Sequence, residues 1–259
     1  MAPASRTRRT RAPARLLRWS RMAGHAAVAA LLLPTVYPRV SHERRRKLLG
    51  WWSAKLLRIL NVSPLVEGTA PGGSERGAMI AANHVSWLDI FLISSVRPTC
   101  FIAKSEVLEW GFAGWIAQRA GTLFIRRDQW RDTARVSEIV RSALAEGQCV
   151  GLFPEGLTTE GDTLLKFHSS LFQPAVANDA HVHPAAIRYE RHDGSLCREM
   201  SFRGERTFIE SLRLIIDEPA VVARISFAPH VETSGTHRRQ VAHATRSRVA
   251  ALLGMEGGN

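Results

Sequence analysis

From about Pro64 onward the chain alternates short apolar runs with longer stretches of helical periodicity. Residues 78–82, 100–103, 122–125, 149–153 and 182–187 are apolar runs with the length of buried strands. Between them, 88–95, 107–119, 130–145 and 171–178 read as helices. Alternation of this kind predicts an α/β fold, a mixed sheet flanked by helices. Further on, Asp193-Gly194 marks a turn that could join two strands. A helix over 208–216, a strand over 221–227 and a basic helix over 236–253 ending at Gly254 complete the pattern.

The first sixty residues follow another rule. Residues 22–37 form an apolar stretch that contains His25 and Pro34. As a helix it reaches only about 24 Å, against roughly 30 Å of bilayer hydrocarbon, so an interfacial or re-entrant segment is expected. Leu49, Trp52, Leu56 and Ile59 then recur on one helical face. Trp51 and Trp52 suit the lipid headgroup level, although a helix packed on the domain surface has the same pattern. The expected division is a basic tail with membrane-associating helices over 1–62 and a single catalytic domain over 63–259, with no internal repeat.

Charge sharpens this picture. The formal net charge is +12, with a pI near 11.0, which implies an anionic partner. Arg6, Arg8, Arg9, Arg11, Arg15, Arg18 and Arg21 crowd the start, no acidic residue precedes Glu43, and Arg44-Arg45-Arg46-Lys47 follows. An anionic membrane surface at the cytoplasmic face accounts for both the arginines and the apolar stretch between them. A transit peptide or a nucleic-acid-binding tail would share the charge; a cleaved signal peptide lacks its small-residue cleavage site here. No nucleic-acid-binding module is evident, so no nucleic acid is expected as partner. The three cysteines, Cys100, Cys149 and Cys197, lie far apart and show no zinc-binding spacing, so they read as reduced core thiols and no metal is expected.

The candidate chemistry begins at Asn83-His84-Val85-Ser86-Trp87-Leu88-Asp89. His84 follows an apolar run, and the C-terminal end of a strand is where α/β sheets bind ligands. On one regular helix His84 and Asp89 would stand about 140° apart. They can meet only if His84 precedes the helix, with Ser86 as its N-cap and Asp89 closing a capping box. A bond from Asp89 would then fix the imidazole tautomer and leave the other nitrogen as a base. The plainer alternative is a helix cap with an uninvolved turn histidine.

Phe153-Pro154-Glu155-Gly156 follows about seventy residues later. Between the two, Phe101-Ile102-Ala103-Lys104 and Gly121-Thr122-Leu123-Phe124-Ile125-Arg126 stand in order, and Val182-His183-Pro184-Ala185-Ala186-Ile187 comes after. These ordered blocks resemble the lysophospholipid acyltransferases, typified by 1-acylglycerol-3-phosphate acyltransferase, over roughly residues 65–190. The resemblance implies acyl transfer from acyl-CoA or acyl carrier protein, as co-substrate rather than cofactor, to the free hydroxyl of 1-acylglycerol-3-phosphate. His84 would be the base and Asp89 its orienter, with no acyl-enzyme intermediate. Gly121, Arg126, Phe153, Pro154, Glu155 and Gly156 would build the acceptor site, with Arg126 on the phosphate and Glu155 either bonding the acceptor or bracing its turn.

Many members that form phosphatidic acid continue Phe-Pro-Glu-Gly with Thr-Arg-Ser. Here Leu157-Thr158-Thr159-Glu160-Gly161 follows, so the arginine is absent at position 158, where Lys166 or Arg127 would have to compensate. The run through Lys166-Phe167-His168 resembles the lyso-ornithine-lipid acyltransferase branch, which makes that lipid the alternative acceptor. A non-catalytic membrane-remodelling protein would need the N-terminal helices but not His84. A serine hydrolase would need a Gly-x-Ser-x-Gly elbow, which the chain lacks.

Overall fold

Among the described residues, seven strands form one sheet in the order β1-β7-β6-β2-β5-β3-β4. They are β1 (Val62–Glu67), β2 (Met79–Ala82), β3 (Cys100–Lys104), β4 (Leu123–Ile125), β5 (Val150–Leu152), β6 (Val182–Glu190) and β7 (Val221–Phe227). The structure, a computed structural model, describes residues 10–72, 77–104, 108–109, 111–119, 122–125, 133–204 and 206–255. All neighbouring strands run parallel except β6 and β7, so the sheet is mixed, as expected.

Among the described residues, eight α-helices accompany the sheet: α1 (Ala12–Thr35), α2 (His42–Ile59), α3 (Leu88–Val96), α4 (Phe112–Arg119), α5 (Thr133–Ala145), α6 (Gln173–Ala177), α7 (Phe208–Asp217) and α8 (Arg238–Leu252). Strand β2 explains why the central strands read as unbroken apolar runs: all four residues are buried. Successive side chains of a strand point to opposite faces. Ile80 and Ala82 accordingly join a core with Leu57 of α2, Leu88 of α3 and Ile215 of α7. Met79 and Ala81 join a second core with Val140 of α5 and Val241 of α8.

The sequence expectations need three amendments. Strand β1 was not foreseen, because only its first residue is buried and Pro64 interrupts it; an edge strand tolerates both. The expected helix over 171–178 divides into a 3₁₀ turn at Ser169–Phe172 and the short α6, which starts beside Pro174. After the turn at 191–195 the chain makes only an isolated bridge between Glu190 and Leu196, not a second strand.

Helix α1 begins ten residues before the apolar stretch, and its basic half docks on the domain. Arg18 Nη1 donates to the carbonyls of Ile216 and Glu218, and Nη2 to that of Pro219. Arg15 pairs with Asp217 at 3.4 Å, and the Thr10 amide donates to the Asp217 carbonyl at 2.9 Å. A helix C-terminus leaves carbonyls without intrahelical partners and carries partial negative charge. Arg18 therefore satisfies the end of α7 and anchors α1 there, so these arginines are not all directed at lipid. No helix among the described residues is long and apolar enough to cross a membrane.

The other half of α1 packs on α2. His25 is 4% exposed and stacks on Trp52 with centroids 4.4 Å apart, and Trp52 in turn meets Phe91 of α3. Burial, helped by Lys55, pushes the imidazole from 6.5 down to about 4. The unfolded chain therefore takes up a proton that the folded one refuses, and stability falls as pH drops from 6.5 towards 4. The whole shift corresponds to about 3 kcal/mol, which solvent near the helix pair reduces to about 1–2 kcal/mol. Urea unfolding of the wild type and His25→Gln across this range checks it. The mutant should lose most of that slope; an equal slope in both proteins would refute the assignment.

Candidate active site

Beyond Ala82 the chain leaves β2 but stays tied to β6 through a side chain. The Asn83 amide donates to the Ile187 carbonyl at 3.0 Å, and its oxygen accepts the Ile187 amide at 2.7 Å. One asparagine thus replaces a rung of the ladder and releases the backbone into a turn carrying His84. Asp89 lies in the first turn of α3, fully buried. Its Oδ2 accepts from His84 Nδ1 at 2.8 Å and from the amides of Val85 and Ser86 at 2.7 and 2.9 Å. Its Oδ1 accepts the Tyr189 hydroxyl at 2.7 Å. Burial raises the phenol well above its ordinary range, and the Asp89 charge acts in the same direction, so Tyr189 is a donor here.

The expected capping box forms by halves. Asp89 reaches back to the Ser86 amide, but the Ser86 hydroxyl is buried without a hydrogen-bond partner and caps nothing. Helix α3 begins at Leu88 behind a helical Trp87, which carries no side-chain cap. The Asp89 carboxylate takes over the work assigned to the serine.

The second motif closes over the first. Phe153 stacks on the His84 imidazole with centroids 3.9 Å apart and planes 9° apart, and Phe101 stacks behind Phe153. The Glu155 side chain accepts the His84 amide on Oε1 at 2.8 Å and the Leu165 amide on Oε2 at 2.7 Å. It is 3% exposed, so its carboxylate holds the two loops together rather than facing open space. Burial raises its pKa, while the amides of Leu165 and His84 pull it down. Pro154 is buried, and its carbonyl accepts the His168 amide at 2.9 Å. Gly156 turns the chain at φ +72°, with the His168 ring 3.5 Å from where a Cβ would stand. The Thr159 amide closes the loop on the His84 carbonyl at 2.8 Å. Gly121, Arg126 and Arg127 lie outside the described residues.

His84 lines a cavity of about 720 Å³. Its walls are largely apolar and come from several elements: Leu32 and Leu33 of α1, Trp52 of α2, Phe91 of α3 and Phe101 of β3 are among them. Polar side chains also line it, among them Thr158, Thr159, Thr163 and Arg203. The Thr158 hydroxyl donates to the Phe202 carbonyl. Arg203 Nη1 lies 3.5 Å from Glu160 Oε1, and Glu160 Oε2 lies 3.2 Å from Arg198 Nε. Lys166, expected to compensate for the missing arginine, is exposed and is not part of this wall. Asn83, Tyr189 and Arg203 escaped sequence reasoning. Tyr189 stands a hundred residues from Asp89 and Arg203 sits in a loop, so no local spacing links either to His84.

Comparisons with known proteins bear on this arrangement. Residues 63–188 match the family model described as Acyltransferase. The chain is 34% identical over 209 residues to lyso-ornithine lipid O-acyltransferase of Pseudomonas aeruginosa, covering 81% of this chain and 79% of that protein. It is 44% identical over 160 residues to 1-acyl-sn-glycerol-3-phosphate acyltransferase of Neisseria meningitidis, spanning 62% of each. The crystal structure of the 1-acyl-sn-glycerophosphate (LPA) acyltransferase PlsC from Thermotoga maritima matches with a TM-score of 0.65, covering 93% of this chain and 95% of that one. At 17% identity, that likeness is one of fold.

The double anchorage of Glu155 has a measurable consequence. Glu155→Ala leaves two loop amides without their buried acceptor and should cost about 2–4 kcal/mol in urea unfolding. Glu155→Gln keeps one carbonyl acceptor and should cost less. Equal midpoints for wild type and Glu155→Ala would show that the loops stay latched without it.

Proposed function

The chain belongs to the acyltransferase family, and on that premise we propose that it transfers a fatty acyl group from acyl-CoA or acyl carrier protein to the free hydroxyl of a lysolipid, with 1-acylglycerol-3-phosphate as the acceptor and phosphatidic acid as the product. The observation that carries the reading is the buried Asp89 bonded to Nδ1 of a histidine that lines a largely apolar cavity. Asp89 accepts the bond at Nδ1, so Nδ1 carries the imidazole proton and Nε2 is left to act as the base. Nε2 takes the proton of the acceptor hydroxyl as its oxygen attacks the thioester carbonyl carbon. The C–S bond then breaks, and the proton passes from Nε2 to the departing thiolate. Asp89 stabilises the imidazolium formed between these steps, following the logic of a serine triad with the substrate hydroxyl in place of serine. The stacked Phe153 holds the ring plane.

The apolar walls suit an acyl chain, with the ester-forming end beside His84. Leu16, Leu17 and Trp19 among the N-terminal arginines of α1, Leu31 further along that helix, and Trp51 of α2 just after Arg44-Arg45-Arg46-Lys47 are exposed. This supports association with an anionic membrane at its cytoplasmic face, where a lysolipid can enter.

His84→Ala should lower transfer by about 10²–10⁴-fold in detergent or liposomes, far more than the modest fall in unfolding midpoint expected from taking one partner from the buried Asp89. A mutant that keeps wild-type turnover would remove His84 from the chemistry and the mechanism with it.

A second acceptor has its own support. A phosphate is best met by cations free of carboxylates, whereas Arg203 at the cavity shares Glu160 with Arg198. Opposite charges side by side suit a head that bears both an amine and a carboxylate, as lyso-ornithine lipid does. On that reading, Arg203→Ser and Glu160→Gln each lower kcat/KM for lyso-ornithine lipid by about tenfold or more. With 1-acylglycerol-3-phosphate as the true acceptor, Glu160→Gln should instead leave turnover unchanged or raise it. Assays of both variants with both lipids separate the two readings.

A further inference from the structure

At the far end of the sheet from His84, three of the chain's ten histidines gather. His181 immediately precedes β6, whose first residue, Val182, pairs with Met79 at the start of β2. His84 follows the other end of β2, roughly 16 Å away at about 3.3 Å per residue. The segment after β7 returns to meet β6 here in a single antiparallel bridge. Val182 N donates to Val231 O at 3.1 Å, and Val231 N donates to Val182 O at 2.7 Å. Both valines are buried in the same core. Their neighbours therefore project together from the opposite side of the bridge.

Those neighbours are His181 and His183 on one segment and His230 and Glu232 on the other. The His181 and His230 rings stack with centroids 4.2 Å apart. Both direct Nε2 at the same carboxylate: His181 lies 3.3 Å from Glu232 Oε2, and His230 lies 2.8 Å from Glu232 Oε1. His183, largely buried, has its ring 5.6 Å from that of His230. Arg248 of α8 donates to the carbonyls of Pro229 and His230, which fixes the backbone that presents His230.

From this geometry we propose that His181, His230 and Glu232 form a binding site for a divalent transition-metal ion of the zinc type, separate from the acyl-transfer centre. One ligand atom from each residue lies within 4.8 Å of the others, so small side-chain rotations bring all three into coordination range. Two imidazoles with one carboxylate select borderline ions such as Zn²⁺ over Mg²⁺ or Ca²⁺, which take oxygen ligands. Water completes the tetrahedron. Sequence spacing did not reveal the set, because its halves are about fifty residues apart and meet only through the bridge. The ion ties the segment leaving β7 to the entry of β6 and stabilises the folded protein by mass action.

The test uses the full-length protein without a polyhistidine tag, stripped with a chelator and titrated at neutral pH with ZnCl₂ and, separately, MgCl₂. Calorimetry should show one saturable equivalent of Zn²⁺ and none of Mg²⁺, with the thermal midpoint rising as Zn²⁺ binds. His230→Ala and Glu232→Gln should each weaken Zn²⁺ uptake by at least about tenfold, with metal-free acyl transfer unchanged. Glu232 is exposed, so its variant keeps the test informative if His230→Ala folds poorly. Absence of saturable Zn²⁺ uptake, or uptake that both variants retain in full, overturns the proposal.

Discussion

Everything around His84 depends on how one buried carboxylate is satisfied. Asp89 is fully buried, and an ion without partners there would cost several kcal/mol. It is stabilised by two backbone amides, an imidazole and a phenol, drawn from the turn after β2 and from β6. Each partner is thereby fixed in place. The amides shape the turn, the imidazole is held in one tautomer, and Tyr189 is tied across the sheet to α3. The bond that orients the proposed base is thus also a bond that the fold needs, which makes the geometry hard to relax.

Glu155 repeats the device from the other side. Its two oxygens bind one amide from the His84 turn and one from the loop before α6, again in a nearly closed environment. Phe153, two residues earlier, lies flat on the imidazole. The ring is held by a hydrogen bond along one edge and a stacked face beside it. A side chain held this way loses little entropy on reaching a reactive arrangement, which is the preorganisation a general base requires.

The chain was legible wherever local pattern dictates the outcome. The central strands were visible because burial on both faces makes them continuously apolar, and β7 matches its expected bounds at Val221–Phe227. His84 and Asp89 could meet only if the histidine stood before the helix, and α3 does begin after it, at Leu88. The exposed edge strand β1 escaped, because an edge next to solvent needs neither alternation nor freedom from proline. Ser86 misled because a short hydroxyl and a carboxylate three residues later mark a capping box, while here the carboxylate alone holds the turn. Tyr189 could not be found from spacing: its bond to Asp89 exists only because β6 lies beside β2.

The arginine-rich start shows how one composition can serve two physical ends. Charge and the neighbouring apolar run argued for a membrane surface, and exposed Leu16, Leu17 and Trp19 keep that argument alive. Yet Arg18 turns inward and spends its donors on the last carbonyls of α7. Without that clasp, α1 would rest on the domain mainly through α2 and α4. With it, the helix is tethered at both ends of its length and contributes Leu32 and Leu33 to the cavity that reaches His84. A segment anchored to the domain by some residues and exposed to lipid through others can join a membrane surface to an interior cavity, and a lysolipid needs such a path to bring its hydroxyl to a base.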